Sequence, residues 1–180
     1  MQIARVSRSN FERPAVRWRE RLTAALALLL VAAGTAHAAA DCSITAVGVN
    51  FGAYDPLATA ADDSTATVTV ACRYVSGAAE RVKYSVTLSN GMNGSSATTR
   101  KMKTGTSGLL GYNVFADPAR TRVWGNGSDN TVIATGEMIV GPGNGNGTRT
   151  FTHTVYGRIP QLQDAVPGTY SDAVLLTLTF

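Results

Sequence analysis

The sequence predicts an all-β protein folded as an antiparallel sandwich. Short runs of alternating apolar and polar residues recur along the chain, and clusters of Gly, Pro and Asn separate them. No apolar repeat of helical period extends over a useful length. Roughly seven or eight alternating runs follow one another, a number and spacing typical of a sandwich. Neither an internal repeat nor a change of composition after Ala38 marks a second domain.

The first 38 residues are expected to be a signal peptide, so that the folded domain covers residues 39–180. An apolar run over residues 22–33 is too short to cross a bilayer, and Ala36 and Ala38 flank His37 in the small-x-small pattern of a cleavage site. We therefore expect an exported protein with no integral membrane span after signal removal. The basic segment before the apolar run contains Arg5, Arg8, Arg13, Arg17, Arg19 and Arg21.

Charge gives no support for an anionic partner. The chain has 16 basic and 12 acidic residues, but six of the basic and two of the acidic ones lie in the expected leader, which leaves ten of each. A domain with net charge near zero does not indicate binding to nucleic acid or to an anionic membrane surface.

The two cysteines, Cys42 and Cys72, favour a disulfide, since an even pair in an exported chain is usually oxidised. The alternative is two free thiols or a metal site. A metal site lacks further ligands, because His153 is the only histidine outside the leader. In the chain-entropy model a disulfide closing a loop of this length contributes about 3–4 kcal/mol.

Alternation predicts the strands and their apolar faces. A loop is expected from Asp55-Pro56 through Asp62 and Asp63, and a flexible one over Gly141–Gly147. The predicted strand faces are Val47, Val49 and Phe51; Ala66, Val68, Val70, Cys72 and Tyr74; Tyr84, Val86 and Leu88; Met102 within 100–103; Leu110, Tyr112 and Val114; residues 137–140; and Phe151, His153 and Val155.

The end of the sequence predicts a half-buried strand after a turn at Pro167-Gly168. No later segment of the sequence could pair with this strand or cover its apolar face. We therefore expect something else to cover the edge. One face carries Val174, Leu176, Leu178 and Phe180, and the other carries Ser171, Ala173, Leu175, Thr177 and Thr179.

No catalytic, cofactor or metal site is predicted. His153 lies in a threonine-rich strand without an evident nucleophile, and the Gly141–Gly147 loop lacks the Lys-Ser/Thr ending of a phosphate-binding loop. Asp62 and Asp63 do not have the spacing of a calcium loop. Three Asn-Gly-Ser/Thr sequences, at Asn93, Asn126 and Asn146, match the glycosylation pattern, but Asn-Gly is also a common turn.

Four stretches, in this order and spacing, resemble the spore coat protein U domain, a family that includes the pilins of archaic, Csu-type chaperone–usher pili. The resemblance extends over nearly all of residues 39–180. The stretches are Phe51-Gly52-Ala53-Tyr54-Asp55-Pro56; Val68-Thr69-Val70-Ala71-Cys72; Leu110-Gly111-Tyr112-Asn113-Val114-Phe115 with Trp124-Gly125-Asn126-Gly127; and Thr154-Val155-Tyr156-Gly157-Arg158-Ile159-Pro160 with Pro167-Gly168-Thr169-Tyr170-Ser171-Asp172.

The resemblance implies an immunoglobulin-like sandwich that lacks its last strand. It also implies a groove that is filled first by a periplasmic chaperone and then by the N-terminal arm of a neighbouring subunit, with assembly through an outer-membrane usher. The protein would pass through the periplasm to a surface fimbrium or an outer coat. The implied groove residues are Tyr170, Val174, Leu176, Leu178 and Phe180.

The sequence departs from the polymerising members of the family before Cys42, where only Ala39, Ala40 and Asp41 would remain after cleavage. Three residues cannot fill a groove, since an added strand needs several alternating side chains. We therefore expect a tip or accept-only subunit acting in adhesion or biofilm formation. The alternatives are a spore or cell coat protein that assembles without an usher and, from another class, a secreted hydrolase.

Overall fold

The structure is a computed structural model that describes residues 4–7, 40–143 and 147–180. Within these ranges the chain forms ten strands and no helix. The strands are β1 Ala4–Ser7, β2 Ala40–Ala46, β3 Asp62–Tyr74, β4 Glu80–Leu88, β5 Lys101–Thr104, β6 Gly108–Gly111, β7 Asn113–Phe115, β8 Ala134–Val140, β9 Thr148–Ile159 and β10 Leu176–Thr179.

Eight strands form two four-stranded sheets, in the orders β1-β10-β4-β8 and β2-β3-β9-β7, and β5 pairs with β6 in a hairpin. All of these pairs are antiparallel except β1 with β10, which is parallel. The predicted all-β, immunoglobulin-like antiparallel sandwich is therefore confirmed.

Alternating side chains from both sheets build one core. Val68 and Val70 of β3 face Val86 of β4 and Leu178 of β10, and all four are fully buried. Trp124 is also fully buried, and its indole Nε1–H donates to the carbonyl oxygen of Val86 at 2.9 Å. A buried indole needs such a partner, so Trp124 can fill the core without an unsatisfied polar group.

The predicted disulfide is present. Cys42 and Cys72 are direct partners in the register of β2 and β3, their Cα atoms are 4.0 Å apart, and their sulfur atoms are bonded. Both side chains are buried. The bond therefore fastens the edge strand β2 to the central strand β3.

Three predicted strands differ in the structure. The first strand ends at Ala46, before the predicted Val47. Beyond the backbone hydrogen bond from Val47 N–H to Thr67 (2.9 Å), the chain leaves β3, so Val47 is 64% exposed, while Val49 and Phe51 turn onto the core. The predicted run of Leu110, Tyr112 and Val114 is divided into two strands, because β6 pairs with β5 whereas β7 pairs with β9.

The last strand is shorter than predicted. Only Leu176–Thr179 pairs with β4, whereas Ser171 exchanges two backbone hydrogen bonds with Lys103 of β5 (2.9 and 3.0 Å). The inward alternation of Val174, Leu176 and Leu178 nevertheless holds.

The predicted loop around Asp62 and Asp63 is instead the beginning of β3. Asp62 is the register partner of Ile159, and Asp63 is the register partner of Arg158. Long-range pairing with β9 therefore extends the strand into a stretch that its polar composition alone suggests is a loop.

Two predictions fall outside the described residues. The apolar run and the cleavage site at Ala36 and Ala38 lie within residues 8–39, and the middle of the Gly141–Gly147 loop lies within residues 144–146. Among the described residues, no helix is long and apolar enough to cross a membrane.

We predict that replacing both cysteines, Cys42→Ser with Cys72→Ser, lowers the free energy of unfolding by about 3–4 kcal/mol, because the unfolded chain regains the entropy of an open loop. Chemical denaturation of the exported protein measures this. Ser43→Ala, an exposed change on the same strand, serves as the control. The structure would be contradicted if alkylation under unfolding, non-reducing conditions labelled both thiols.

Candidate acceptor groove

The outer edge of β10 is paired with residues 4–7. Four register pairs run from Ala4 with Leu176 to Ser7 with Thr179, and the other edge of β10 pairs with β4. Residues 4–7 lie within the expected leader. The strand that satisfies this edge therefore belongs to the segment that we expect to be removed on export.

The predicted groove residues lie in and beside the core. Val174, Leu176 and Leu178 are buried between the sheets, and Tyr170 and Phe180 are half-buried against them. Because these side chains face the core, β10 cannot shift its register without exposing them. Their contact with a chaperone or a neighbouring subunit stays a prediction.

An apolar crevice lies between residues 48–54 and residues 165–174. Its larger cavity has a volume of about 620 Å³ and is lined entirely by uncharged residues. A smaller cavity of about 210 Å³ adjoins it and reaches Asp172 and Val174. The residues that line both cavities are Val49, Phe51, Met102 and Tyr170.

The backbone along both sides of the crevice has spare hydrogen-bonding capacity. In the part of the chain that the structure describes, neither residues 48–53 nor residues 165–170 form a backbone–backbone hydrogen bond. Unpaired backbone groups need water or another chain segment as partners. Side chains engage some of these groups, since Gly52 N–H donates to Asn50 Oδ1, the Ser64 hydroxyl donates to the Asn50 carbonyl oxygen and the Tyr170 hydroxyl donates to the Val166 carbonyl oxygen. The crevice thus combines apolar walls with backbone groups that lie outside sheet pairing, the two features that strand addition uses.

Hydrogen bonds hold one rim of the crevice. The Tyr54 hydroxyl donates to the carbonyl oxygen of Pro160 (3.0 Å) and accepts from Gln163 N–H (2.8 Å). The Gln163 side chain accepts from Gly111 N–H and donates to Gly111 carbonyl oxygen, both at 2.8 Å. This amide takes the place of a paired strand beside β6, a role that nothing in the sequence around Gln163 indicates.

Arg100 is a buried cation that the sequence analysis missed. Its side chain is 1% exposed, and Nε and Nη2 both donate to the carbonyl oxygen of Ser89, at 3.0 and 2.7 Å. The guanidinium also donates to Trp124 carbonyl oxygen and to the Asn113 side chain, each at 2.9 Å. Burial lowers the pKa of Arg100 to about 10, so it remains charged at neutral pH.

Asp172 lies at the edge of the smaller cavity and links three segments. Its Oδ1 accepts from Met92 N–H (2.9 Å) and from the Asn93 side chain (3.0 Å), and its Oδ2 accepts from the Tyr112 hydroxyl (2.8 Å). Burial, together with the hydrogen bond to Asp172, raises the pKa of Tyr112. The Asn93 side chain, one of the three Asn-Gly-Ser/Thr matches, is therefore engaged in the fold.

The two aspartates considered for calcium, Asp62 and Asp63, differ in their surroundings. Asp63 forms a two-point ion pair with Arg158 (2.7 and 2.8 Å), and this hydrogen bonding lowers the pKa of Asp63. Asp62 follows the opposite side-chain direction, as neighbours in a strand do, and burial raises its pKa. No group of three or more His, Cys, Asp and Glu residues within the described ranges could hold a metal ion.

His153 is packed among aromatic rings between the sheets. Its Nε2 is 3.0 Å from the Tyr84 hydroxyl, and its ring centroid lies 5.8 Å from those of Tyr84 and Trp124 and 4.8 Å from that of Phe151. Burial lowers the pKa of His153. These contacts explain the residue as part of the packing between β4 and β9.

Comparison with known proteins identifies relatives of this chain. Residues 25–177 match the family model of the Spore Coat Protein U domain. The chain is 32% identical over 143 residues to Protein U of Myxococcus xanthus. The match covers 73% of this chain and 71% of the relative.

A solved structure is also similar, that of the CsuC–CsuE chaperone–tip adhesion subunit pre-assembly complex from the archaic chaperone–usher Csu pili of Acinetobacter baumannii. The match has 25% identity and a TM-score of 0.50 and covers 78% of this chain and 40% of that one. This chain thus spans less than half of the solved chain.

The lowered pKa of His153 predicts a stability that depends on pH. Below the ordinary pKa of 6.5, the unfolded chain takes up a proton that the folded protein does not. Stability should therefore be fully present above pH 6.5 and fall as the pH drops towards the lowered pKa. Thermal melts from about pH 7.5 to about pH 5.5 cover this window.

The variant His153→Gln should lose less of its melting temperature over this range than the wild type, because glutamine does not titrate there. An equal loss in both proteins would mean that His153 is not the group responsible.

Proposed function

The chain belongs to the spore coat protein U domain family, and on this premise we propose that it is an exported structural subunit of a chaperone–usher surface pilus. In this proposal its groove accepts an extended strand from another chain. The observation that carries the proposal is the crevice beside the segment that leads into β10. Because β1 is parallel to β10, a strand extended from Ala4 towards its N-terminus would run back along residues 175 to 170, of which Tyr170, Ser171, Asp172 and Val174 line the crevice.

Backbone pairing supports a strand as the occupant. The parallel pairing of residues 4–7 with the β10 edge supports this, because it is the kind of contact that an added strand would form. Removal of the leader would leave that edge unpaired, in continuity with the unpaired segments 48–53 and 165–170. An open strand edge promotes association with other chains unless it is covered. A periplasmic chaperone during transit, and a neighbouring subunit afterwards, would meet this requirement in turn.

The partners follow from the family and from the similar complex. That complex joins a chaperone to a tip adhesion subunit. For this chain we propose a periplasmic chaperone, an outer-membrane usher and neighbouring pilin subunits, with transit through the periplasm to the cell surface. The proposed role is structural and not catalytic.

The start of β2 supports a position at the fibre tip. β2 begins at Ala40, and Cys42 is fastened to β3 by the disulfide. With cleavage after Ala38, a single residue would precede β2, so the subunit could accept a strand but not donate one. Strand exchange is directional, because each subunit accepts one strand and donates one. A subunit that only accepts must occupy the end away from the cell, where adhesion to surfaces and biofilm contacts would occur.

A second candidate function is that of a coat protein assembled without an usher. The 32% identity to Protein U of Myxococcus xanthus favours it, together with the description of the family as a spore coat domain. In this case the groove would be filled without transfer from an usher-bound subunit. The two functions differ in whether the protein reaches the surface when the usher is deleted.

We predict that Val49→Asn weakens capture by the chaperone at least about tenfold, since it places an amide in an apolar wall of the crevice. Val47→Asn is the matched control, because the same change two residues away falls on an exposed side chain outside both cavities. Co-expression with the chaperone, purification and mass spectrometry of the complex measure capture. Equal yields of complex for both variants would contradict strand acceptance at this crevice.

The position in the assembly predicts a labelling pattern. Immunogold labelling of this protein on cells that make the fibre should be confined to fibre ends. Label along the shafts would contradict the tip position, and a continuous layer on cells without fibres would favour the coat protein.

A further inference from the structure

The segment that leads into β10 lies outside the paired strands and is held by separate backbone and side-chain hydrogen bonds. Residues 172–175 lie between the Ser171 bridge to Lys103 and the first residue of β10, outside the strands. At the far end of this segment, Ser89 N–H donates to Leu175 carbonyl oxygen and Leu175 N–H donates to Ser89 Oγ, both at 2.9 Å. Both backbone groups of Leu175 thus depend on the residue that follows β4.

Arg100 fixes the position of Ser89 through hydrogen bonds to its carbonyl oxygen. Two of its guanidinium nitrogens donate to the carbonyl oxygen of Ser89, and the remaining bonds tie it to Trp124 and Asn113. Because the cation is buried, breaking these bonds would leave an unsatisfied charge, which strongly favours the intact arrangement. Ser89 is therefore a fixed point to which Leu175 is attached.

Asp172 holds the near end of the same segment. Its carboxylate binds Met92 N–H, the Asn93 amide and the Tyr112 hydroxyl. Charge-assisted hydrogen bonds of this kind are stronger than neutral ones. The two anchors flank residues 173 and 174, and Val174 contributes to the smaller cavity of the crevice.

We propose that Arg100, acting through Ser89, and Asp172 are positioning residues that hold residues 171–175 in the conformation seen beside the paired β10 edge. This inference rests on the proposed function of the groove. The physical gain is preorganisation: a segment already ordered does not have to lose conformational entropy when a strand arrives.

The test compares Asp172→Asn and Ser89→Ala with the wild-type protein, each exported and purified from the periplasm. Asp117→Asn is the matched control, since the Asp117 carboxylate accepts from Thr121 N–H (3.1 Å) and Arg122 N–H (2.7 Å) in a loop away from the crevice. Arg100→Lys keeps the charge but not the forked geometry, and Arg158→Lys is its surface control.

Two quantities are measured. The first is hydrogen exchange of the amides in residues 171–175, followed by mass spectrometry. The second is the affinity for a synthetic peptide of residues 1–10 of this chain, the probe that contains the segment paired with β10. Losing one such anchor should speed exchange of residues 171–175 about tenfold and weaken peptide binding by a similar factor. The two control variants should match the wild type in both measurements.

Unchanged exchange in Asp172→Asn and Ser89→Ala would overturn the inference, as would an equal increase in Asp117→Asn. Faster exchange with unchanged peptide affinity would overturn the link to strand acceptance. Failure of the wild-type protein to bind the peptide would count against the proposed function, whereas exchange would still decide whether the anchors hold residues 171–175.

Discussion

The backbone hydrogen bonds along the outer edge of β10 are formed with residues 4–7, and the rest of the structure gives this edge no other partner among the described residues. β10 cannot shift its position to cover this edge. Its inner edge is paired with β4, and Leu176 and Leu178 are buried between the sheets. β4 and the core thus fix the position of β10, and its outer edge is the part that an extended segment can pair with.

The two sheets differ in how much they depend on this edge. The β2-β3-β9-β7 sheet is fastened by the Cys42–Cys72 disulfide and is paired within the described domain. In the other sheet, the β10 edge is paired with residues 4–7, which come from the expected leader. Burying one large aliphatic side chain stabilises a domain by roughly 1.5–3 kcal/mol, against a typical total of about 5–15 kcal/mol. The burial of Leu176 and Leu178 between the sheets therefore accounts for a large fraction of the free energy of unfolding.

The polar groups around the crevice explain how segments outside the paired strands keep a defined shape. Arg100, Asp172 and Gln163 each replace missing sheet pairing with side-chain hydrogen bonds to backbone groups. These bonds join segments far apart in sequence, and they do not involve the strand that would enter. For the proposed acceptor groove, such ordering would reduce the entropic cost of association.

The sequence by itself determined many of the side chains that face the core and the family to which the chain belongs, although Val47 and Phe151, predicted on apolar faces, are exposed. Alternation reports local geometry, so Val68, Val86 and Leu178 could be placed correctly, and a cysteine pair in an exported chain was enough to predict the disulfide. Four motifs in the right order indicated the family that the comparison also found.

Only the tertiary structure decided where each strand stops and which polar residues matter. Residues 47–51 alternate like a strand but leave the sheet after the hydrogen bond from Val47 N–H to Thr67, and Val49 and Phe51 pack against the core instead of following β3. Arg100 stands next to exposed Lys101 in the sequence, yet it is buried because Ser89, Asn113 and Trp124 supply acceptors. Strand ends and buried charges depend on partners distant in the chain, and these partners come together only in the folded protein.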